Sequence, residues 1–487
     1  MRTVLLREAR LVDGVAPVDI LVRDGRVSAV GPGLADGVPY RVTQVALDGR
    51  WVMPGLWDAH VHLTQWALAR RRLDVSAATS AAHAVALVAA APPPTAGTAL
   101  VGFGFRDGLW PDVPTAALLD AALGDVPVVL VSADLHCAWA STAGLRFLGV
   151  GDHPTGLLRE SEWMPLQGAV DQVPDAIADA LVDDACAAAA ARGVVGVVDL
   201  EIADNLAVWR RRTAQAPARL RVRAGVWEDF LDRVLREDLH TGDSLGGPGS
   251  LVEQGPLKVI TDGSLNTRTA YCHEPYAGVS GAGACGMLTV PPSRLVPLMA
   301  HATRHGLRCA VHAIGDAANA LALDAFASSG ATGSVEHAQL VTWDDVERFA
   351  ELGVVASVQP EHAMDDRDVA DQYWAGRTER AFAFDALHRA GVRLALGSDA
   401  PVAPLDPWVA ADAAVTRSRD GREPWHPEQA LDRRVALESS VDGRGLGVTV
   451  DGPADLVVLD ADPLTAPLRG MPVAGTLVAG GWTHRTF

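Results

Sequence analysis

Short runs of alternating apolar and polar residues occupy both ends of this 487-residue chain. A period of two is typical of half-buried β-strands, because successive side chains of a strand point to opposite faces. The runs that show it are residues 3–6, 18–22, 26–30, 455–459 and 475–481. Asp24-Gly25 separates two of these runs and predicts a hairpin. We therefore expect the two termini to meet in one small β domain.

The middle of the chain alternates strand-like apolar runs with alanine-rich helical stretches. This alternation is typical of βα units around a parallel sheet. The strand-like runs are Trp51–Trp57, Val194–Asp199, Arg221–Val226, Leu257–Thr261, Arg308–Ala313, Gly333–His337, Gly353–Val358 and Arg393–Gly397. Eight units that close on themselves form a (β/α)8 barrel. The predicted fold class is therefore α/β, a TIM-like barrel with a small β-sandwich domain built from both termini.

The first two predicted barrel strands are separated by too many residues for a single helix. Residues 64–190 contain strand-like runs of their own, so we expect a long insertion after barrel strand 1. The insertion leaves from the first βα loop, on the face where barrel enzymes carry their active sites. The predicted organisation is a composite β-sandwich domain of residues 1–50 and 444–487 and a barrel domain of residues 51–443, with 64–190 shaping the active site.

Composition narrows the classes of partner. A net charge of −19 and a pI of about 5.1 disfavour nucleic acid and anionic membranes. The five cysteines lack zinc-finger or disulfide-framework spacing, the N-terminal segment lacks the apolar region of a signal peptide, and no stretch reaches 18 uninterrupted apolar residues. We expect a soluble, cytoplasmic protein that has no nucleic-acid partner and no membrane partner.

Lys258 is the only lysine among the 41 lysine and arginine residues of the chain. It lies in an apolar, strand-like run directly before Thr261-Asp262-Gly263. Arginine cannot be deprotonated in a protein, whereas a buried lysine can lose its proton and act as a nucleophile or form a carbamate. We therefore interpret Lys258 as a functional amine. The alternative is that a single lysine remains by chance in a chain whose composition favours arginine.

Metal-ligating residue types stand at the ends of the predicted barrel strands. The motif His60-Val61-His62 ends the first strand, and side chains two apart on a strand point the same way, so both imidazoles can hold one divalent metal. His312 and His337 end the fifth and sixth strands, and Asp399 follows the eighth. A single strand histidine is usually a core residue, but this combination is hard to explain by packing and predicts a metal site.

Five longer motifs carry these residues. They are Met53-Pro54-Gly55-Leu56-Trp57-Asp58-Ala59-His60-Val61-His62, Lys258-Val259-Ile260-Thr261-Asp262-Gly263-Ser264-Leu265, Val311-His312-Ala313-Ile314-Gly315-Asp316, Glu336-His337-Ala338-Gln339 and Gly397-Ser398-Asp399-Ala400-Pro401-Val402. Because it carries these five motifs in this order, the chain resembles the amidohydrolase superfamily of metal-dependent hydrolases. It is most similar to amidohydrolase family 3, the group that includes N-substituted formamide deformylases. The resemblance covers essentially the whole chain.

The resemblance implies a metal site with defined ligands. They are His60, His62, Lys258, His312, His337 and Asp399. The first two histidines and Asp399 would bind the more buried ion, the other two histidines would bind a second, and Lys258, carboxylated on its amine, would bridge the two. The expected cofactors are one or two divalent metal ions, with zinc as the expected metal. In a one-metal site, Lys258 would instead bind substrate or form a salt bridge.

The resemblance also implies an activity. The metal activates water, and Asp399 acts first as general base and then as general acid toward the departing amine. We expect hydrolysis of an amide, N-formyl or N-acyl C–N bond in a small-molecule substrate. Deamination of a ring C=N bond and cleavage of an ester or carbamate remain alternatives, because fold and metal do not separate them. A catalytically silent assembly protein is a further alternative, and a homodimer is expected by analogy with other barrels.

Candidate substrate contacts lie in the insertion and at the strand ends. His136 and Trp139 belong to a segment similar to one of the family, with a helix start and a core tryptophan as the alternative interpretation. Glu160 lies in a loop that resembles the glutamate-bearing loop of the family. The candidates at the strand ends are Asp262, Arg268, Asp316 and Gln339. Each of these could instead orient a metal-ligating histidine by hydrogen bonding.

Overall fold

A computed structural model describes residues 3–37, 39, 42–94, 98–170, 173–247 and 249–487. The strands, in chain order, are β1 (Thr3–Leu11), β2 (Val18–Arg23), β3 (Arg26–Gly31), β4 (Thr43–Ala46), β5 (Trp51–Pro54), β6 (Leu56–Val61), β7 (Leu73–Asp74), β8 (Leu100–Phe105), β9 (Val128–Ser132), β10 (Cys137–Ala140), β11 (Leu157–Arg159), β12 (Val194–Asp199), β13 (Arg221–Trp227), β14 (Val252–Ile260), β15 (Cys309–Ala313), β16 (Gly333–His337), β17 (Val355–Val358), β18 (Leu394–Leu396), β19 (Leu456–Leu459), β20 (Val473–Val478) and β21 (Gly481–Arg485). The α-helices are α1 (Leu63–Ala69), α2 (Ala81–Ala89), α3 (Ala116–Leu123), α4 (Thr142–Phe147), α5 (Gln167–Val170), α6 (Asp175–Ala190), α7 (Asn205–Gln215), α8 (Glu228–Arg236), α9 (Pro292–Arg304), α10 (Asp316–Ser329), α11 (Trp343–Leu352), α12 (Pro360–Tyr373), α13 (Phe384–Arg389), α14 (Pro407–Thr416) and α15 (Arg433–Glu438). No helix within these ranges is long and apolar enough to cross a membrane.

Eight parallel strands form the barrel, in the order β6, β12, β13, β14, β15, β16, β17, β18. The ring closes where the residues after β18 return to β6, through a parallel bridge between Val61 and Ala400. At the same place the Asp399 amide donates to the His60 carbonyl at 2.7 Å, and the His62 amide donates to the Ala400 carbonyl at 2.8 Å. The predicted α/β barrel is thereby confirmed, and its closing contact lies within the predicted metal ligands.

The barrel strands are apolar on both faces because side chains fill the inside and helices cover the outside. β15 is buried along its whole length, and β12 is buried at all but one position. The surrounding helices contribute to the same hydrophobic core through residues such as Ala185 of α6, Met299 of α9 and Leu323 of α10. This rigid framework fixes the positions of the side chains at its C-terminal rim.

The predicted first barrel strand, Trp51–Trp57, is wrong in its bounds. Trp51–Pro54 is β5, which pairs with β1 and β19 outside the barrel, and the barrel strand β6 begins only at Leu56. Gly55 marks the change, because a Cβ atom there would lie 2.1 Å from a methyl group of Val195. The apolar run is continuous across this point, so its pattern alone does not reveal that the chain passes from one sheet to another.

Strands from both termini form one sheet, in the order β21-β20-β19-β5-β1-β2-β3, with β4 pairing to β1. Side chains from both ends of the chain share a single buried cluster, which includes Leu6, Ile20, Val52, Val458 and Leu477. The two ends therefore pack around one core and build the small β domain expected from the alternating runs.

The chain between β6 and β12 forms a separate sheet in the order β11-β10-β9-β8-β7. β7, β8 and β9 are parallel, while β10 is antiparallel to both of its neighbours. Polar contacts attach this insertion to the barrel: for example, Ser264 Oγ donates to Asp134 Oδ2 at 2.8 Å, and Arg106 Nη2 donates to Asp365 Oδ2 at 2.8 Å. The insertion therefore contributes one wall of the cavity at the barrel mouth.

Candidate metal centre

The C-terminal ends of the barrel strands bring the six predicted ligands to one cavity of about 160 Å³. All six are buried: His60, His62, Lys258, His312, His337 and Asp399. Gly397 permits a close approach of two strand ends at this rim, because a Cβ atom at this position would lie 2.8 Å from the His60 amide nitrogen. A side chain there would push the end of β18 away from β6 and separate Asp399 from the two histidines of the first strand.

His60 is oriented by a carboxylate from the sixth barrel strand. Its Nδ1 lies 2.8 Å from Glu336 Oε2, and both side chains are buried. Burial, together with the charge of Lys258, lowers the pKa of His60 to about 4. Burial would raise the pKa of Glu336, but the hydrogen bond from His60 and nearby charges hold it below its usual value. A neutral imidazole that donates through Nδ1 keeps a lone pair on Nε2, as a metal ligand requires.

Asp399 faces both histidines of the HxH motif with one oxygen. Its Oδ1 lies 3.4 Å from His60 Nε2 and 3.3 Å from His62 Nε2. Burial would raise the pKa of Asp399, but the neighbouring histidines outweigh burial and hold it well below its usual value. The three side chains offer ligand atoms that all lie within 4.8 Å of one another, and all three residues are buried.

Lys258 stands beside this group, with its Nζ 3.5 Å from His60 Nε2. The residue is only 2% exposed, and burial lowers the pKa of its amine. The Glu336 and Asp399 carboxylates act in the opposite direction, but they do not outweigh burial. The neutral form of the amine is therefore more favourable for Lys258 than for a lysine in water.

His312 and His337 lie on neighbouring strands with ring centroids 4.5 Å apart. Burial lowers the pKa of His312 and holds that of His337 well below its usual value, so both rings are neutral near pH 7. Asp262 Oδ1 lies 3.3 Å from His312 Nε2, outside hydrogen-bond geometry. The Asp262 carboxylate is held by the backbone amides of Tyr271, Ile314 and Gly315, so it supports the end of β15.

Several imidazole nitrogens at the cavity lack hydrogen-bond partners within the described ranges. They are His62 Nδ1, His312 Nε2, His337 Nδ1 and His362 Nε2. A buried polar atom without a partner costs free energy, so native proteins rarely leave one unsatisfied. Neutral imidazoles and an ionised carboxylate are the donors that zinc and similar divalent ions prefer. The residues at the barrel mouth therefore fit a divalent metal.

The sequence model of the amidohydrolase family matches residues 44–481 of the chain. The chain belongs to the amidohydrolase family. Protein LONG AFTER FAR-RED 3 of Arabidopsis thaliana is 28% identical over 452 residues, which cover 81% of this chain and 74% of that protein. The N-substituted formamide deformylase of Arthrobacter pascens is 26% identical over 523 residues, which cover 95% and 94% of the two chains.

An uncharacterized metal-dependent hydrolase from Pyrococcus horikoshii has a similar solved structure. Its TM-score is 0.80 at 25% sequence identity, and the match covers 96% of this chain and 99% of that one. This amidohydrolase is therefore a metal-dependent hydrolase that acts on carbon–nitrogen bonds.

Two residues that contact the predicted ligands were missed by the sequence prediction. Glu336 lies directly before a predicted ligand and contacts His60. His362 lies in the first turn of α12 rather than on a strand, and it lines the cavity of this amidohydrolase with its Nε2 4.0 Å from Asp399 Oδ2. The available signal for His362 was the run Gln359-Pro360-Glu361-His362 directly after the seventh barrel strand.

Two of the predicted substrate contacts line the cavity, and a third supports one of them. His136 and Gln339 are part of the cavity wall. Glu160 lies behind His136 and accepts from its Nδ1 at 2.9 Å, while the Thr267 and Thr269 hydroxyls donate to the other Glu160 oxygen. Burial would lower the pKa of His136, but Glu160 raises it to about 9. This ring is therefore a largely buried cation, with 12% of its side chain exposed, beside the predicted metal ligands.

The other candidates lie outside the cavity wall. Trp139 packs in the core of the insertion against Phe105 and Trp110. Asp316 begins α10, accepts from the His273 amide at 2.9 Å and pairs with Arg380 at 3.3 Å. Arg268 donates to the Tyr373 hydroxyl at 3.1 Å and lies over the ring of the same tyrosine. In the structure these three residues make packing and loop contacts, as Asp262 does.

Proposed function

We propose that this amidohydrolase cleaves an amide-type C–N bond, of the N-formyl or N-acyl kind, in a small molecule. The observation that carries the proposal is the convergence of His60, His62 and Asp399, with Lys258 3.5 Å from His60, in a cavity of about 160 Å³. The similarity to the N-substituted formamide deformylase of Arthrobacter pascens over 95% of this chain supports the substrate class. A formyl or short acyl group suits a cavity of this size.

The proposed ligand sets follow from the barrel order. His60, His62 and Asp399 would hold one divalent ion, and His312 and His337 a second, with zinc as the proposed metal. Lys258 would carry a carboxyl group on its amine and bridge the two sets. A divalent metal supplies Lewis acidity, which lowers the pKa of water and polarises a carbonyl group. The lowered pKa of Lys258 supports the carbamate, because only a neutral amine reacts with carbon dioxide.

Asp399 is the proposed proton carrier of the reaction. Its carboxylate is ionised at neutral pH and therefore can accept a proton from water. The same carboxyl group can then donate the proton to the departing amine, which must be protonated before the C–N bond breaks. In this proposal Asp399, at the closing point of the barrel, would carry out both proton transfers.

His136 is the proposed donor to the substrate carbonyl. Glu160 occupies its Nδ1 at 2.9 Å, so Nε2 is the ring nitrogen left to donate. With a pKa of about 9, the ring is protonated at neutral pH and carries a positive charge. A cationic donor that is largely shielded from water stabilises the negative charge that develops on a carbonyl oxygen during hydrolysis. The charged ring thus complements the transition state more than the neutral substrate.

Apolar side chains at the outer part of the cavity support an apolar substituent on the substrate nitrogen. Leu109 and Ile202 line the cavity and keep 43% and 42% of their surface exposed. Leu135, Met164 and Ile314 continue this apolar wall inward. Exposed apolar residues at a cavity mouth are typical of ligand-binding sites, and contact with them would draw an alkyl or aryl substituent out of water.

The proposal is tested with a matched panel of substrates. The purified protein is stripped with a chelator, reloaded separately with zinc, manganese or cobalt, and assayed for amine release from N-formyl and N-acetyl derivatives of one apolar amine. The corresponding ester and a ring amine serve as probes of esterase and deaminase activity. We expect metal-dependent amine release with the amides as the best substrates, and its loss in Asp399→Asn. Preferred turnover of the ester or the ring amine would contradict the proposed substrate class.

A further inference from the structure

His362 is a buried histidine of the cavity wall that the proposed ligand sets do not include. It lies in the first turn of α12, which begins directly after β17. The residue is 6% exposed, and its Nε2 has no hydrogen-bond partner in the part of the chain that the structure describes. Leaving a buried imidazole nitrogen unsatisfied costs free energy, so this atom points to a ligand that binds at the cavity.

His362 stands with two other donors of suitable type. His337, His362 and Asp399 are all buried, and their ligand atoms all lie within 4.8 Å of one another. The rings of His337 and His362 are stacked, with centroids 6.1 Å apart and an angle of 15° between their planes. Ligands of one tetrahedral zinc ion lie about 3.4 Å apart, so small rotations of the three side chains would bring them to a common ion.

Gln339 can set the protonation of His362 that metal binding requires. Its side-chain amide lies 3.5 Å from His362 Nδ1, and its Oε1 has no hydrogen-bond partner among the described residues. Turning this amide about its Cγ–Cδ bond exchanges oxygen for nitrogen, so that Oε1 would accept a hydrogen bond from Nδ1–H. The lone pair of His362 would then be on Nε2, the nitrogen that faces Asp399.

Asp399 stands between two donor sets. Its Oδ1 lies 3.3 Å from His62 Nε2, whereas its Oδ2 lies 4.0 Å from His362 Nε2. The second set comes from consecutive positions around the barrel, since His337 ends β16, His362 follows β17 and Asp399 follows β18. It lies on the opposite side of His337 from Lys258 on β14 and His312 on β15.

We propose that His337, His362 and Asp399 form an additional position for a divalent metal ion of the zinc or cobalt type. An ion at this position would occupy Asp399 Oδ2 and take His337 from the proposed second ion, which would keep His312 and the carbamate of Lys258. The inference rests on the proposed function, in which Asp399 accepts and then donates a proton. A metal ion bound at this position would therefore prevent Asp399 from acting as the base. Excess metal should then inhibit hydrolysis.

Metal binding is measured directly on the full-length protein. Metal-free wild type, His362→Gln and His136→Gln are dialysed against increasing Co²⁺, and bound metal per chain and visible absorption are recorded. We expect the weakest equivalent of wild type to bind on the order of 100-fold more weakly in His362→Gln, because a direct ligand matters at least as much as the groups that orient one. His136→Gln removes the other non-ligand histidine of the cavity wall and should bind cobalt as wild type does.

A second variant separates loss of the ligand from loss of the fold. His362→Glu supplies a carboxylate in place of the imidazole and should retain the additional equivalent, and circular dichroism of each metal-free variant checks that it is folded. Excess zinc should inhibit the wild type and His362→Glu but not His362→Gln. Equal cobalt binding and equal zinc inhibition in wild type and His362→Gln would overturn the additional position and leave the proposed function intact. A wild type that binds no metal would overturn both.

Discussion

His60 Nδ1 lies 2.8 Å from Glu336 Oε2, in a contact that crosses the interior of the barrel from β6 to β16. Both residues are about 1% exposed, so the hydrogen bond forms without competing water. Because burial lowers the pKa of His60 to about 4, its ring is neutral and carries one proton, which the carboxylate places on Nδ1. The contact thereby fixes the tautomer that leaves Nε2 free to bind a metal.

Glu336→Gln should weaken metal binding by about 10- to 100-fold, the usual effect of losing a group that orients a ligand histidine. The glutamine is neutral and can present either its oxygen or its nitrogen to Nδ1, so it no longer selects one tautomer. Titration of the loaded protein with a chelator measures the change. Ser334→Ala is the matched control, because Ser334 also hydrogen-bonds Glu336 but does not touch His60. It should change metal affinity less than Glu336→Gln.

Lys258→Arg should lower kcat/KM at least about 100-fold, the upper range for residues around a metal centre. Arginine keeps the positive charge, but its guanidinium stays protonated and cannot form a carbamate. Reloading wild type with metal in buffer depleted of carbon dioxide should slow recovery of activity, and added bicarbonate should restore it. If the arginine variant is active, and if its activity after metal reloading does not depend on bicarbonate, the result would instead support the one-metal interpretation, in which Lys258 serves only as a cation.

The His136–Glu160 pair predicts an alkaline limit to activity. The pKa of His136 is raised to about 9, so the ring of the folded protein is charged at neutral pH and loses its charge as pH rises through about 9. In Glu160→Gln the pKa of His136 should fall, and the alkaline limb of kcat/KM should move to lower pH. Thr267→Val is the control, because it removes one hydrogen bond to Glu160 but keeps its charge. If the dependence of kcat/KM on pH is the same in wild type, Glu160→Gln and Thr267→Val, His136 is not the cationic donor.

The barrel was predictable because its strands end at chemically distinct residues. Lys258, His312 and His337 occur on β14, β15 and β16 as expected, since a parallel barrel places the C-terminal ends of its strands at one rim. The bounds of the first strand were not predictable. Trp51–Pro54 and Leu56–Val61 belong to different sheets, yet both are largely buried. An apolar run indicates that a segment is buried, but it does not indicate in which sheet the segment lies.

The parts of the site that were missed depend on contacts that a linear pattern does not contain. His362 reaches the cavity from a helix, so a search of strand ends does not find it. Trp139 is predicted together with His136, but Trp139 lies inside β10, whereas His136 lies in the bend directly before this strand. Trp139 and Cys137 pack in the inner core of the insertion, while His136 faces the barrel.

Asp366 is an acidic residue of the cavity wall that has no hydrogen-bond or ion-pair partner in the part of the chain described by the structure. Its neighbour Asp365 is paired with Arg106 at 2.8 Å and with Arg419 at 2.7 Å. Burial, with a contribution from the charge of Asp365, raises the pKa of Asp366 to about 8. The folded protein therefore holds a proton on this carboxyl group that the unfolded chain releases at a much lower pH.

Asp366→Asn should stabilise the metal-free protein at alkaline pH by on the order of 1 kcal/mol, because it removes an unpaired charge from the partly buried cavity wall. The sign follows from the raised pKa: the protonated carboxyl group contributes its full stability below about pH 4, and that contribution is lost as pH rises through about 8. The melting temperatures of wild type and variant should therefore converge toward pH 4 and separate toward pH 9. Asp368→Asn is the control, since Asp368 is exposed and paired with Arg422 at 2.6 Å, and it should show no such gain. Parallel melting curves for wild type and Asp366→Asn across this range would show that Asp366 is ionised in the folded protein.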